Sequence, residues 1–419
     1  MIASPTGDVR MRGFTHRVEV AAFQDLVRER TAPLGIETVP LGEAAGRVLA
    51  HPVVSELDVP PFVRSAMDGY AVRGEETFGA SDYNPLPFRV IGEVTPGRFF
   101  EGRVGPGETV RIMTGAPLPE GTDGVLMAEY AEEANGIMTA SEAVPPGKHT
   151  GRIGEDIRAG DTVLHPGRRL RPQDLGVLAS IAQGSVTVHR RPQVTLIVTG
   201  NELVKPGERP AGAQIVDSNS VMLRALIARD GGVTAETLHL EDDREAIRSA
   251  LRQAAGDLIA MTGGTSVGVE DHAPSLIAEE GELLAHGVAM RPSSPTGLGA
   301  IGGKPVFLLP GNPVSCLAAY DFFVGLAVRR LAGLAEGWPY AKIRAVLDDR
   351  IASQIGRVDY ARVTLAGRRA QLVATSGASV LSSTTRADGF VVVPQDSEGM
   401  PDGAEVDVWL YDPLSGEPT

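Results

Sequence analysis

The stretch Val194-Thr-Leu-Ile-Val-Thr-Gly-Asn-Glu-Leu203 is an apolar run of strand length that breaks at once into glycine, asparagine and an acid. Two later stretches repeat this pattern, namely Leu258-Ile-Ala-Met-Thr-Gly-Gly-Thr-Ser-Val-Gly268 and Val306-Phe-Leu-Leu-Pro-Gly-Asn-Pro-Val-Ser315. Buried parallel strands end in this way in open α/β sheets, and ligands bind at those carboxyl ends. The segment from Pro192 to Gly337 is therefore predicted to be an α/β domain with a ligand crevice.

The segments between these strands are predicted to be helices. The cluster Asp217-Ser-Asn219 is typical of the start of a helix, here over 221–229, and Gly231-Gly232 would end it. Residues 244–255 carry apolar side chains on one helical face, and Pro313 suits the first turn of a third helix. Strands that alternate with helices imply a parallel sheet with right-handed crossovers.

Composition limits the class of protein. The chain has 419 residues and 42% hydrophobic residues, which is ordinary for a globular protein of two to four domains. A net charge of −14 argues against non-specific binding to nucleic acid. No signal peptide or bilayer-spanning run is apparent, and the single cysteine, Cys316, fits a reducing cytoplasm and a small core residue.

Both flanks of the α/β segment have the pattern of β domains. Short β runs with Gly and Pro turns between Pro87 and about Pro146 predict a small β domain inserted into the chain. After Trp338-Pro339 the strands resume, which predicts a C-terminal β-barrel or sandwich.

Two glycine motifs have competing interpretations. Gly297-Leu-Gly-Ala-Ile-Gly302 matches the dinucleotide pattern, but a strand follows it, so a hairpin is favoured. Gly264-Thr-Ser-Val-Gly268 matches the nucleophile elbow of serine hydrolases, with Ser266 as the nucleophile. The competing interpretation is an anion cradle of backbone N–H groups over 262–268.

Acidic residues follow several strands of the same predicted sheet. Glu202, Asp242 and Asp271 each come just after a strand, and could share a crevice with Asp217. Each acid alone is more often a helix cap or a solvated loop residue. Carboxylates that share a crevice repel one another unless a hard cation such as Mg²⁺ is bound, so the sequence predicts a magnesium site.

These motifs together resemble the molybdopterin molybdotransferase family, MoeA and the E domain of gephyrin, over nearly the whole chain. The motifs that carry the resemblance are Ser65-Ala-Met-Asp-Gly-Tyr-Ala71, Arg111-Ile-Met-Thr-Gly-Ala-Pro117, Gly154-Glu-Asp156, Thr199-Gly-Asn-Glu-Leu203, Gly263-Gly-Thr-Ser-Val-Gly268 and Leu309-Pro-Gly-Asn-Pro-Val-Ser315.

The resemblance implies a multidomain α/β and β fold. Its parts would be an elongated helical, dimerising domain (16–58 and 157–191), an inserted β domain (59–156), a three-layer molybdopterin-binding α/β domain (192–337) and a C-terminal β-barrel (338–419). It also implies a cytoplasmic homodimer with the active cleft between subunits. The implied reaction inserts molybdate into adenylylated molybdopterin with Mg²⁺ and releases AMP.

The resemblance also implies roles for individual residues. Asp68, Thr114 and Asp156 would come from the partner side of the cleft, and Glu202, Asp242 and Asp271 from the α/β side. The expected catalytic residues are Asp68, Thr114, Glu202, Asp242 and Asp271, and the expected metal ligands are Asp156, Glu202, Asp242 and Asp271. The expected pterin-binding residues are Thr199, Gly200, Asp217, Gly263, Gly264, Ser266, Gly268, Arg291, Pro310, Gly311 and Asn312.

The chain departs from the family where the family is most basic. The family's Lys-Pro-Gly-Lys-Pro is here Arg291-Pro-Ser-Ser-Pro295, and lysines near Asp271 and His286 are absent. His272 and His286 could compensate only in part, because a neutral histidine is a weaker phosphate ligand. This keeps open an alternative, a MoeA-like paralogue that binds or carries molybdopterin or the finished cofactor without turnover.

Overall fold

The computed structural model describes residues 17–265 and 271–412. Their helices are α1 Val20–Arg30, α2 Pro172–Ser180, α3 Asn219–Arg229, α4 Arg244–Gln253, α5 Ala273–Glu280, α6 Pro313–Ala319, α7 Gly325–Leu331 and α8 Ser382–Thr385. A π-helical turn, Tyr320–Val324, joins α6 to α7. In this part of the chain, no helix is both long and apolar enough to cross a membrane.

The strands are short. They are β1 Ile36–Pro40, β2 Val53–Val54, β3 Arg64–Ser65, β4 Gly69–Val72, β5 Leu86–Val94, β6 Glu108–Ile112, β7 Gly124–Met127, β8 Ala131–Ala134, β9 Ile137–Ala140, β10 Thr150–Gly151, β11 Thr162–Leu164, β12 Ser185–His189, β13 Gln193–Thr199, β14 Leu203–Val204, β15 Ile215–Val216, β16 Val233–Leu240, β17 Leu258–Thr262, β18 Glu282–His286, β19 Met290–Arg291, β20 Gly297–Ile301, β21 Lys304–Leu309, β22 Ala341–Leu347, β23 Ile351–Ala352, β24 Val358–Ala366, β25 Arg369–Ala374, β26 Gly389–Val393, β27 Gly399–Met400 and β28 Glu405–Leu410.

The chain divides into two compact units. Of the described residues, unit 1 comprises 17–38, 46–50, 187–265 and 271–412, and unit 2 comprises 39–45 and 51–186. The four predicted domain boundaries are finer than this division and stay predictions.

The α/β part of unit 1 is a six-stranded sheet in the order β16-β13-β17-β21-β20-β18. The strands from β16 to β21 are parallel, whereas β20 is antiparallel to both of its neighbours. The parallel sheet that the alternation of strands and helices predicts is therefore present from β16 to β21, and antiparallel strands extend it at this edge. The physical reason is the two-residue turn Gly302-Gly303, with φ of +57° and +81°, which makes β20 and β21 a hairpin. That hairpin also confirms the favoured interpretation of the glycine motif.

Helices cover both faces of this sheet. On one face α4 and α5 bury Ile247, Leu251 and Ile277 against Ile259 and its neighbours. Each such side chain contributes about 1.5–3 kcal/mol when fully buried. The other face is covered by α3, α6 and α7, with α1 packed beside them in the same core. This is the predicted three-layer arrangement.

The C-terminal part of unit 1 is a closed barrel. Its strands pair in the order β24-β25-β22-β28-β26, and β26 pairs back to β24. Trp338 joins this barrel to the α/β part, because its ring lies edge-on to Phe322 at 4.8 Å and to Phe390 at 5.3 Å. The prediction of a C-terminal β-barrel is confirmed.

Unit 2 contains a six-stranded sheet in the order β7-β4-β6-β5-β9-β8. Alternate residues of its strands point into two apolar clusters, one around Val110 and Val125 and the other around Leu126 and Met138. The sheet lies within the segment predicted to be an inserted β domain. Asp68 directly precedes β4 and Thr114 follows β6, so the pairing of these two strands brings the two residues together.

Candidate functional site

The first cavity lies in unit 1 at the carboxyl ends of β13 and β17 and has a volume of about 470 Å³. Ligand sites of small molecules have volumes of this order. The predicted residues that line it are Thr199, Glu202, Asp217, Gly263, Gly264, Asp271, Gly311 and Asn312. Gly200 lies between two of them in sequence, and Ser266 and Gly268 lie outside the described residues.

The floor of the first cavity requires glycine. Gly263 and Gly264 have φ of +87° and +56°, a region that other residues rarely adopt. A Cβ atom at Gly263 would lie 1.9 Å from the carbonyl oxygen of Thr199. The turn after β17 therefore passes directly against the end of β13, with no space for a side chain between them.

Two of the three predicted acids share this cavity. Glu202 and Asp271 line it, whereas Asp242 is outside its lining. The Asp242 carboxylate accepts a hydrogen bond from the backbone N–H of Asn201 at 3.2 Å, and the Asn201 side chain accepts one from Asp242 N at 3.1 Å. Within the described ranges, no group of three or more His, Cys, Asp or Glu side chains is placed to hold a metal ion.

Asp217 lines the same cavity but is already bonded within the protein. Its carboxylate accepts hydrogen bonds from Ser220 N at 3.1 Å, from the Ser220 hydroxyl and from His239 Nε2 at 2.9 Å. It therefore satisfies one backbone N–H in the first turn of α3, that of Ser220, as a capping side chain does.

A second cavity of about 380 Å³ lies in unit 1 and shares Asn312 with the first. Arg17, Arg291 and Arg357 line it, together with Pro310. The predicted residues Arg291 and Pro310 are therefore at this cavity and do not line the first one. Sequence analysis missed Arg17 and Arg357, which carry no local motif.

A buried carboxylate holds two of these arginines. Asp359 is fully buried and accepts a hydrogen bond from Arg357 Nε at 3.0 Å. Arg291 pairs with the other oxygen of Asp359 and also donates to the carbonyl oxygen of Ala352 at 3.1 Å. Three arginines line the cavity, and one buried carboxylate, Asp359, is paired with two of them, so the ionised side chains of this set sum to a net positive charge.

His286 does not replace a missing lysine. Its Nε2 lies 2.9 Å from the carbonyl oxygen of Thr265. Burial is the main reason that the pKa of His286 is lowered, and the contact with Thr265 and the charge of Asp271 oppose this shift only in part. Neutral imidazole is therefore favoured near pH 7. Lys304 lines neither cavity, and its ammonium donates to the carbonyl oxygen of Ala254 at 2.6 Å.

The predicted residues of unit 2 include one bonded pair. Asp68 accepts hydrogen bonds from the backbone N–H of Thr114 at 2.6 Å and from its hydroxyl at 2.9 Å. Both bonds lower the pKa of the exposed Asp68 carboxyl, and the bond from the backbone N–H has the larger effect. Asp156 is exposed, and its backbone N–H donates to the carbonyl oxygen of Val59 at 3.1 Å.

Cys316 is a core residue, as predicted. It is fully buried, and burial raises the pKa of its thiol to about 12. The thiolate needed for nucleophilic attack is therefore not formed near neutral pH.

Comparison with known families accounts for this architecture. The "MoeA N-terminal region (domain I and II)" matches residues 18–182, the "Probable molybdopterin binding domain" matches 195–330, and the "MoeA C-terminal region (domain IV)" matches 344–411. The chain belongs to the MoeA family.

Individual relatives match over almost the whole chain. The chain is 36% identical to molybdopterin molybdenumtransferase 2 of Mycobacterium tuberculosis, over 93% of this chain and 98% of the relative. It is 32% identical to the molybdopterin molybdenumtransferase of Staphylococcus aureus, over 94% and 96%. The crystal structure of a molybdopterin biosynthesis MoeA protein from Pyrococcus horikoshii is similar, with a TM-score of 0.82, 36% identity and coverage of 95% and 100%.

Proposed function

We propose that this chain is a molybdopterin molybdotransferase, which inserts molybdate into adenylylated molybdopterin and releases AMP in molybdenum cofactor biosynthesis. The observation that carries the proposal is the pair of adjoining cavities in a MoeA-family chain. One is lined by glycines and acids, the other by arginines, and Asn312 lines both. Such a pair suits a reaction that joins a phosphorylated pterin to a second, smaller anion.

The first cavity would hold the pterin and its phosphates. The backbone N–H groups of a glycine turn such as Gly263-Gly264 bind phosphate without a cationic side chain. This matters here, because the lysines of the family are absent while the glycines and acids are present. Glu202 and Asp271 would face the phosphates and would repel them without a cation.

Magnesium fits the donor set of the first cavity. Mg²⁺ is commonly held by one or two carboxylates together with water and substrate phosphate, so Glu202 and Asp271 suffice as protein ligands. When bound, the ion would screen repulsion between the anions and stabilise the departing phosphate. Asp242 would support this arrangement by holding Asn201, next to Glu202, through its two hydrogen bonds.

The second cavity would hold molybdate, the other substrate. Guanidinium groups donate paired hydrogen bonds to oxyanions, and three line this cavity. Asp359 fixes Arg291 and Arg357 in place before the anion arrives, which reduces the entropy lost on binding. In the transfer, two Mo–S bonds would form to the dithiolene sulfurs while one molybdate oxygen leaves as water with the two thiol protons, so molybdenum stays hexavalent. One water would add across the phosphoanhydride bond, which breaks to give AMP and the pterin phosphate.

The assembly and location also belong to the proposal. A cytoplasmic homodimer is supported by the resemblance, in which the second copy contributes Asp68, Thr114 and Asp156. The hydrogen bonds from Thr114 keep the Asp68 carboxylate ionised and oriented, as a contributing acid requires.

AMP release tests the proposal. Purified full-length chain with adenylylated molybdopterin and Mg²⁺ should release AMP only when molybdate is added. Glu202→Gln or Asp271→Asn should lower the rate at least about a hundredfold, the effect of losing one group that stabilises charge in the transition state. Glu29→Gln removes an exposed acid on α1 and should leave the rate unchanged.

The alternative of a cofactor-binding paralogue is favoured by the neutral His286 and the missing lysines. It predicts that calorimetry detects binding of molybdopterin while AMP release does not occur. Binding without molybdate-dependent AMP release from the wild-type chain would therefore replace the transferase by the carrier.

A further inference from the structure

Asn219 opens α3 and lines the first cavity, and it is only 7% exposed. Its side-chain nitrogen is bonded to the cavity wall. Nδ2 donates to the hydroxyl oxygen of Thr262 at 3.0 Å and to the carbonyl oxygen of Gly311 at 2.7 Å. Both of its protons are therefore used by residues at the ends of β17 and β21.

These bonds determine which side-chain atom of Asn219 is the nitrogen and which is the oxygen. A carbonyl oxygen can only accept a hydrogen bond, so the atom that faces Gly311 must be nitrogen. The Thr262 hydroxyl has one proton, which it donates to the carbonyl oxygen of Pro310 at 3.3 Å. Towards Asn219 this hydroxyl must accept, which again requires nitrogen.

The other end of the amide has no such bond. Oδ1 of Asn219 is buried and has no hydrogen-bond partner among residues 17–265 and 271–412. Buried polar atoms in folded proteins nearly always have a partner, so an exception needs an explanation. Asn219 lines the cavity and its nitrogen is committed, so the polar atom of this side chain that is left for a further hydrogen bond is an acceptor.

The surroundings of Asn219 disfavour an anion at this wall. A helix N-terminus usually attracts anions, but at α3 the Asp217 carboxylate already accepts the N–H of Ser220 at 3.1 Å. Asp217 and Asn219 therefore present a negative charge and an unpaired acceptor side by side. Phosphate and molybdate oxygens are acceptors themselves, whereas the edge of a pterin ring carries an amino group and a ring N–H, both donors.

We propose that Asn219 determines specificity in the first cavity by accepting a hydrogen bond at Oδ1 from the 2-amino group of the pterin ring. This inference rests on the proposed function and adds an orientation to it. The ring lies towards α3, which leaves the phosphates to the Gly263-Gly264 turn.

The test compares two pteridines that differ only at this edge. In 6-hydroxymethyllumazine a carbonyl oxygen replaces the 2-amino group of 6-hydroxymethylpterin, and N1 carries a proton while N3–H is kept. At position 2, where the amino group of the pterin would donate to Asn219, the lumazine therefore presents an acceptor. Calorimetry with the full-length wild-type chain should show affinity for the pterin at least roughly tenfold higher than for the lumazine, since an unmatched polar group is costly. In Asn219→Ala this preference should fall below about threefold.

Val221→Ala is the matched control, because Val221 is in the first turn of α3 but is 54% exposed and does not line the cavity. This variant should keep the wild-type preference. An unchanged preference in Asn219→Ala would overturn the inference. So would a wild-type chain that releases AMP but binds both pteridines equally, a result that needs no variant to fold. A wild-type chain that binds neither pteridine nor molybdopterin would instead overturn the proposed function as well.

Discussion

The two cavities of unit 1 share Asn312 but are built from different parts of the chain. The first contains a backbone turn that only glycine fits, since two glycines with positive φ let one strand end pass against another. The second is lined by three arginines among prolines, serines and small residues, and a fully buried aspartate holds two of these arginines. The difference suggests that each cavity binds a distinct anion, so substitutions in one should leave binding in the other nearly unchanged.

The largest expected effect is the loss of stability caused by a substitution in the glycine turn of the first cavity. Gly263→Ala places a Cβ atom 1.9 Å from the Thr199 carbonyl oxygen at a φ of +87°. The clash and the strained backbone should together lower the free energy of unfolding by about 2–5 kcal/mol, as measured by urea denaturation.

Gly302→Ala is the matched control for this substitution. Gly302 also has a positive φ, of +57°, but nothing lies within 4 Å of its Cβ position. Gly302→Ala should lower the free energy of unfolding by only about 1–2 kcal/mol. Equal losses in the two variants would show that the close approach of the strands is not what requires glycine at position 263.

A substitution in each cavity should separate binding of the two substrates. Arg357→Ala should raise the molybdate concentration for half-maximal AMP release roughly tenfold to a hundredfold, because a hydrogen bond to a charged group contributes about 1.5–3 kcal/mol. Pterin affinity should stay within about twofold of the wild type. Glu202→Gln should instead lower the maximal rate and leave the half-maximal molybdate concentration unchanged.

Arg344→Ala is the control for the loss of one arginine, because Arg344 is on β22, is exposed and does not line the second cavity. Arg344→Ala should leave the molybdate dependence unchanged. If Arg357→Ala and Arg344→Ala behaved alike, the second cavity would not be the molybdate site.

The smallest expected effect concerns pH. Because burial holds the pKa of His286 below the ordinary value of 6.5, the unfolded chain binds the proton more tightly than the folded one. The contribution of neutral His286 to the free energy of unfolding is therefore complete above about pH 6.5. It decreases as the pH falls towards the pKa of His286 in the folded chain. Urea midpoints should decrease between pH 7.5 and 5.5 in the wild type, and less so in His286→Gln. Equal decreases would show that His286 is not buried in the neutral form.

The two cavities also differ in how far sequence could predict them. The first cavity could be predicted, because glycines and an acid directly follow its strands. This local pattern places Glu202 and Gly263 at the carboxyl edge of the sheet, whatever the position of the rest of the chain. The second could not, because Arg17 and Arg357 are far apart in sequence and are brought together only by packing of the barrel beside the α/β part. Asp242 also follows a strand, but the sequence does not show that its carboxylate bonds to Asn201 outside the cavity lining.

Asn219 both shapes the fold and lines the first cavity, and the sequence predicted only the first of these roles. The cluster Asp217-Ser-Asn219 was predicted to start a helix, and α3 does begin there. What the pattern does not contain is the orientation of the Asn219 amide, which depends on acceptors at Thr262 and Gly311. The antiparallel pairing of β20 was predicted by the glycine motif, which favoured a hairpin, and not by the alternation of strands and helices, which suggested parallel strands.

The most direct test of the two-cavity account is anomalous diffraction at the molybdenum edge from crystals of the full-length chain soaked with molybdate and AMP. The account predicts a molybdenum peak within hydrogen-bonding reach of Arg291 and Arg357, with the AMP phosphate at the Gly263-Gly264 turn. A molybdenum peak beside Glu202 and Asp271, with none at the arginines, would contradict it.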